Sequence, residues 1–242
     1  MAVRPRTFAA SRNAEKAYGA QLRKVARHIS DIVKGFPVGD LDELPAMIQA
    51  LQHYSLALRP WARSVAWRML MDVAKRDEAT WASVAREMSS GLRKEIREAF
   101  TSAVMQQKLS DSVELITSLP IEAGERVHKL TLEGITSAGR YKEIADAILA
   151  TGAVSASRAT LIARTEVART ASLLTQARAE YIGSEGYIWR TVKDLDVRKS
   201  HKEMEGVFVR WDTPPTLSDG TVTHAGQIYN CRCFSEPVIP EF

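Results

Sequence analysis

A chain of 242 residues is long enough for one large domain or two modest ones. Its hydrophobic fraction of 45% and charged fraction of 26% are those of an ordinary soluble protein, and no run of about 18 apolar residues offers a membrane span. The net charge of +4 is unevenly placed: residues 1–35 hold Arg4, Arg6, Arg12, Lys16, Arg23, Lys24, Arg27 and Lys34 against only Glu15 and Asp31.

Such a basic end attracts phosphate or an acidic protein surface; the alternative is a solvated helix face. The residues expected to meet DNA are Arg12, Lys16, Arg23, Lys24 and Arg27. With only Phe8 and Tyr18 available for stacking, contact would run through phosphates and ignore sequence. The opening MAVRPRTFAASRNAEK lacks the apolar core of a signal peptide, so the chain is expected to be made and kept in the cytoplasm. Its two cysteines, Cys231 and Cys233, are too close in sequence to pair readily. Reduced thiols or metal ligands suit them better, and suit a cytoplasm.

Up to Gly152 the pattern is helical. Ala14, Tyr18, Leu22, Val25, Ile29 and Ile32 form one stripe over Ser11 to Val33. Gly35, Pro37 and Gly39 break it. Asp40 is then expected to cap a helix running to Leu58, with Glu43 completing a capping box. Pro60 suits the first turn of the next helix, through Trp61, Val65, Met69 and Val73. A long segment from Thr80 to Leu109 carries Trp81, Val84, Met88, Leu92, Ile96, Phe100 and Val104. Pro120, Gly124, Gly134 and Gly139 are expected to divide the remainder of this region into shorter helices. Trp61, Trp67, Met69, Met71 and Trp81 are expected in the core or between helices.

Gly152 to Ser155 marks the expected boundary between a helical domain, 1–152, and a second domain, 153–242. Ser155 or Ser157 would cap a helix to Tyr181 that bears Arg158, Arg164, Glu166, Arg169 and Arg178, with Glu166 and Arg169 paired on one face. Gly183 and Gly186 stop it. Tyr187 to Val192 alternates as a strand, with Tyr187, Trp189 and Thr191 on one face. A short helix near Arg198 to Met204 and strands at Val207–Trp211 and Cys231–Ile239 come next. The expected class is α+β: a mostly helical first domain, then a small α+β domain with a short antiparallel sheet packed on the arginine-bearing helix.

The last quarter carries the densest motifs: ARTEVART in that helix, GYIW in the first strand, Asp194-x-x-Val197-Arg198-x-x-His201, Gly206, and Asn230-Cys231-Arg232-Cys233. In this order they resemble the C-terminal domain of the Mu F-like phage head morphogenesis family, over residues 155–238. The resemblance implies a minor head protein associated with the portal vertex, aiding procapsid assembly, DNA packaging or DNA delivery. It implies the portal protein and other head proteins as partners, with non-specific DNA as a further one, no membrane, and multiple copies per virion. Its place would be the phage head or portal vertex, after the host cytoplasm during assembly. Some members carry a toxin domain after the cysteine motif; nine residues follow Cys233, so none is expected. No enzyme activity and no cofactor are implied. A sequence-independent DNA-binding protein is the alternative function, and a zinc-dependent or cysteine-dependent enzyme the one after it.

Arg164, Glu166, Asp194, Arg198, His201, Cys231 and Cys233 are expected to converge as a structural polar cluster. The favoured arrangement has His201 and Asp194 or Asp196 hydrogen-bonding with Arg198 and Arg164, and the cysteines buried as small apolar groups. The alternative is a tetrahedral Zn²⁺ site made by His201, His224, Cys231 and Cys233. His201-Lys202-Glu203 ahead of the cysteines faintly echoes a zinc deaminase, but the cysteine spacing differs and no Pro precedes Cys231. A nucleophilic pair of Cys231 or Cys233 with His201 or His224 lacks a recognisable oxyanion hole.

Overall fold

The computed structural model describes residues 7–37, 40, 42–87, 90–99, 101–136 and 141–240. Arg4, Arg6, Gly39, Met88, Phe100 and Gly139 lie outside the described residues, as does the side chain of Leu92. Seven α-helices, one 3-10 turn and three strands occur in order among the described residues. They are α1 (Arg12–Lys34), α2 (Leu44–Val84), the turn Ala85–Glu87, α3 (Ser90–Glu98), α4 (Ser102–Thr136), α5 (Tyr141–Leu149), α6 (Thr151–Tyr181), β1 (Gly186–Arg190), α7 (Lys199–Lys202), β2 (Phe208–Arg210) and β3 (Phe234–Pro237). The protein is mostly helical with one small antiparallel sheet, in the order β2-β1-β3.

Two compact units are interleaved along the chain. One gathers the described residues of Met1–Glu15, Arg68–Leu109 and Arg164–Phe242; the other gathers Lys16–Trp67 and Ser110–Ala163. The expected division at 152/153 follows chain order, whereas the units cross it within α6.

The first unit is built on its sheet. Tyr187 and Trp189 are fully buried on the same face of β1, as their alternation dictates. They join Trp81, Ala85, Ile96, Ala179, Ile182, Val209, Trp211 and both cysteines in one apolar cluster. Gly186 is required by close approach, since a Cβ there would overlap the Val209 carbonyl and the Phe208 ring across the β1–β2 pair. Gly183, at φ +77°, ends α6 in a Schellman turn: Ser184 N–H donates to Ala179 O at 2.9 Å and Gly183 N–H to Glu180 O at 3.0 Å.

The second unit is all helical. Its core includes Tyr18, Leu22, Val25, Ile29, Leu51, Leu58, Val65, Ile116, Leu119 and Ile148. These are the stripes of helical period, with two departures. Pro60 does not open a helix; it sits inside α2, on an exposed face. There the carbonyl it leaves without an N–H partner can turn to water, and the buried stripe continues on both sides of it. Pro120 likewise sits inside α4. Hydroxyls serve the nearby carbonyls: Ser55 Oγ donates to Thr117 O at 2.7 Å and Ser118 Oγ to Leu115 O at 3.1 Å.

Other boundaries also moved. Asp40 accepts from Asp42 N–H in a turn, and α2 starts only at Leu44 with Pro45 in its first turn. The segment Thr80–Leu109 is not one helix: α2 ends at Val84, the 3-10 turn Ala85–Glu87 comes next, α3 spans Ser90–Glu98 and α4 starts at Ser102. Gly124 and Gly134 lie within α4 rather than dividing it. Gly152 lies inside α6 because a Cβ would come within 2.5 Å of Ser30 Cβ, so two helices meet there. Trp67 is 46% exposed, unlike the buried Trp81 and Met69.

Candidate functional site

The site is assembled by the part of α6 from Arg164 onward, α7 and the segment leading into β3, all within the first unit. One face of α6 grips the segment 225–230. Arg164 Nη1 donates to Asn230 Oδ1 at 2.7 Å, and Thr165 Oγ1 accepts from Asn230 N–H at 3.0 Å. Arg169 Nε donates to Gln227 O at 2.8 Å, and Ser172 Oγ to Ala225 O at 2.8 Å. This face is the ARTEVART stretch and the Ser that comes after it. Arg164 also pairs with Glu15 at 3.0 Å.

Held in this way, Asn230 takes the left-handed conformation, φ +56°, and turns the chain into Cys231-Arg232-Cys233. Both thiols then meet His201, presented by α7. His201 Nδ1 lies 3.4 Å from Cys231 Sγ and 3.5 Å from Cys233 Sγ. All three residues are buried, and their donor atoms lie within 4.8 Å of one another. Trp189 packs against the His201 ring, 5.5 Å between centroids and nearly perpendicular. The turn that carries His201 is anchored where Ser200 Oγ donates to Asp219 Oδ2 at 2.8 Å.

Of the two thiols, Cys231 ionises first. The Cys233 thiol donates to its sulfur, and this lowers its pKa below the usual thiol value against burial, with His201 adding to the effect. The same hydrogen bond and burial push Cys233 up.

Arg232, between the cysteines, points to Asp194 at 2.8 Å and Asp196 at 3.3 Å. The expected partners differ from these: neither aspartate bonds Arg198 or Arg164 among the described contacts. Arg198 instead donates to Tyr229 O at 3.1 Å and lies over the Tyr229 ring. Glu166 forms a fully buried pair with Lys108 at 2.6 Å, besides its looser contact with Arg169 at 3.5 Å. His224 is outside the thiol group. Its Nδ1 is 3.2 Å from the Tyr187 hydroxyl, and burial lowers its pKa.

The structure therefore brings His201, Cys231 and Cys233 together and leaves His224 apart. It puts Arg164, Arg198 and Asp196 around them in a cleft of about 280 Å³. Asp194 lies one step further out, through Arg232, while Glu166 pairs with Lys108 and contacts Arg169, which holds the Gln227 carbonyl. Sequence reasoning missed Asn230, Arg232, Thr165 and Ser172 as site residues, and Lys108 as the partner of Glu166. The first two were in plain view inside the cysteine motif. Among the DNA candidates, Arg12, Lys16, Lys24 and Arg27 are exposed and Arg23 is half-buried, all on α1.

Known proteins bear on this arrangement. A family model described as Phage Mu protein F like protein matches residues 125–236. That span holds α6, α7, nearly all of the sheet and the thiol cluster, and its match supports the resemblance to this family. A protein of Haemophilus influenzae strain Rd, described only as uncharacterized, is 31% identical over 128 residues. The match covers 53% of this chain and 28% of that protein, so the chain spans less than a third of the relative's length. No solved structure matches. No helix among the described residues is long and apolar enough to cross a membrane.

Proposed function

We propose that this protein is a minor head component that joins the portal vertex during procapsid assembly and serves assembly, DNA packaging or DNA delivery, without enzymatic activity. The observation that carries this reading is the family match over residues 125–236, which coincides with the α6–sheet–α7 assembly. The polar contacts of that region support a structural role: α6 spends Arg164, Thr165, Arg169 and Ser172 on holding its own chain. A protein partner is supported by α2, which turns Leu56 and Trp67 outward, 66% and 46% exposed and about three turns apart. The test is capture of the protein by the cognate portal protein after nuclease treatment. Wild-type protein should be retained, and Trp67→Ala should weaken retention several-fold while leaving the fold intact. Failure of folded wild-type protein to bind the portal would overturn the portal assignment.

A second reading, sequence-independent DNA binding, is favoured by one observation. Lys16, Arg23, Arg27 and Lys34 recur at helical spacing along α1, with Lys24 beside them. Contacts of this kind predict affinity that falls steeply with salt and a shallower salt slope once Arg23, Lys24 and Arg27 are changed to Ala. Binding that is indifferent to salt would exclude it.

A further inference from the structure

We propose that His201, Cys231 and Cys233 form a three-ligand site for Zn²⁺, with the fourth coordination position open to the cleft they line. The first support is geometric. Zinc–sulfur bonds of about 2.3 Å and zinc–nitrogen bonds of about 2.0–2.1 Å, set at tetrahedral angles, put nitrogen and sulfur about 3.6 Å apart. His201 Nδ1 sits 3.4 and 3.5 Å from the two sulfurs, so one ion placed among them meets all three at bonding distance with little movement.

The second support is the donor set. Two thiols and an imidazole, with no carboxylate among the clustered donors, suit Zn²⁺ and exclude the oxygen-seeking Mg²⁺ and Ca²⁺. Burial of all three residues shields the site. Two thiolates and Zn²⁺ also carry no net charge, which removes the cost of a buried unpaired anion.

The third support is the way the ligands are held. His201 is fixed from one side by the Trp189 ring and by the Ser200–Asp219 bond next to it. The cysteines are fixed by Asn230 in its left-handed turn, itself gripped by Arg164 and Thr165. The Nδ1 atom is the one aimed at both sulfurs, while the buried Nε2 finds no hydrogen-bond partner among the described residues. His224 does not complete the site, being engaged by Tyr187. The fourth ligand is therefore a water or small anion from the cleft, whose wall carries Arg164, Arg198 and Arg232. The ion ties α7 to the segment entering β3, thirty residues away, and so braces a sheet of three short strands.

The experiment uses the purified full chain, stripped of metal under reducing conditions and titrated with Co²⁺ and then Zn²⁺. The expected result is one equivalent bound per chain, with sulfur-to-cobalt charge-transfer absorption and the intense visible bands of a tetrahedral site, both erased by Zn²⁺. In the same wild-type protein Zn²⁺ should slow alkylation of the two thiols by iodoacetamide by about tenfold or more. His224→Ala should still bind one equivalent, and Cys231→Ser should lose the charge-transfer band. The wild-type measurements stand even if a cysteine variant fails to fold. Absence of the charge-transfer band, or alkylation equally fast with and without Zn²⁺, would overturn the proposal; the latter is the behaviour of a reactive thiol–imidazole pair that binds no metal. Loss of binding in folded His224→Ala would overturn the three-ligand assignment. Each outcome is independent of whether the protein enters a phage head.

Discussion

Asn230 is the residue on which the thiol cluster turns. Its backbone is left-handed, its N–H is taken by Thr165, and its side chain by Arg164. Asparagine tolerates that conformation better than other residues with a Cβ, and glycine tolerates it best. Asn230→Ala should therefore cost about 1–3 kcal/mol, from backbone strain plus the lost Arg164 contact. Asn230→Gly should cost less, because it loses only the contact. Urea unfolding of the two variants measures this, and an equal loss in both would show that the turn is not what matters. The sequence displayed Asn230 and Arg232 inside the NCRC motif, yet attention fell on the cysteines. The pairing of Arg232 with Asp194 and Asp196 depends on a fold that brings positions more than thirty residues apart together. Lys108 was less legible still. Its partner Glu166 lies 58 residues on, and the only local sign was a cation sharing a helical stripe with the buried Met105 and Ser112.

At the scale of elements, periodicity located the helices and strands, while proline and glycine were read too locally. Pro60 and Pro120 were read by rules that hold for isolated helices, whereas burial of the long stripes on either side outweighs the cost of an interior proline, about 3 kcal/mol or more. Since Pro60 is exposed, nothing in the core requires it. Pro60→Ala should restore one helical bond and raise stability by about 1–3 kcal/mol, read as a higher unfolding midpoint. A fall in stability would mean that the proline ring is needed for the path of α2. The first strand was found because Tyr187 and Trp189 alternate with more exposed residues, a signal that survives in five residues.

The short helix α7 makes a prediction about acid. Asp219 accepts from Thr221 N–H and from Ser200 Oγ, which lowers its pKa from 3.8 to about 2. A carboxylate whose pKa is depressed by folding adds stability above its unfolded value and loses it as pH falls through the folded one. The contribution of Asp219 is thus complete above pH 3.8 and vanishes toward pH 2. Asp219→Asn should flatten the stability profile in that window and leave the profile above pH 5 with unchanged slope. Thermal melts across pH 2–6 check the sign; a steeper acid loss in the variant would contradict it.

For the whole molecule, the interleaving of the two units governs how function can be dissected. Removing residues 1–150 would strip Arg68–Leu109, with Trp81 and Ile96, from the unit that holds the sheet. Surface substitutions are the sounder instrument. The motif order in the last quarter was enough to indicate the family, because several weak signals in sequence reinforce one another. The interleaving was not, because it rests on contacts between distant segments that no single pattern encodes. The proposed function depends on the protein's being built into phage heads. Quantitative mass spectrometry of purified heads of the phage that carries the gene, after nuclease treatment and removal of unassembled protein, decides this. A minor head component should be retained in constant proportion to the portal protein, in far lower amount than the major capsid protein. Heads that lack the chain, while it persists soluble in the same lysate, would contradict it.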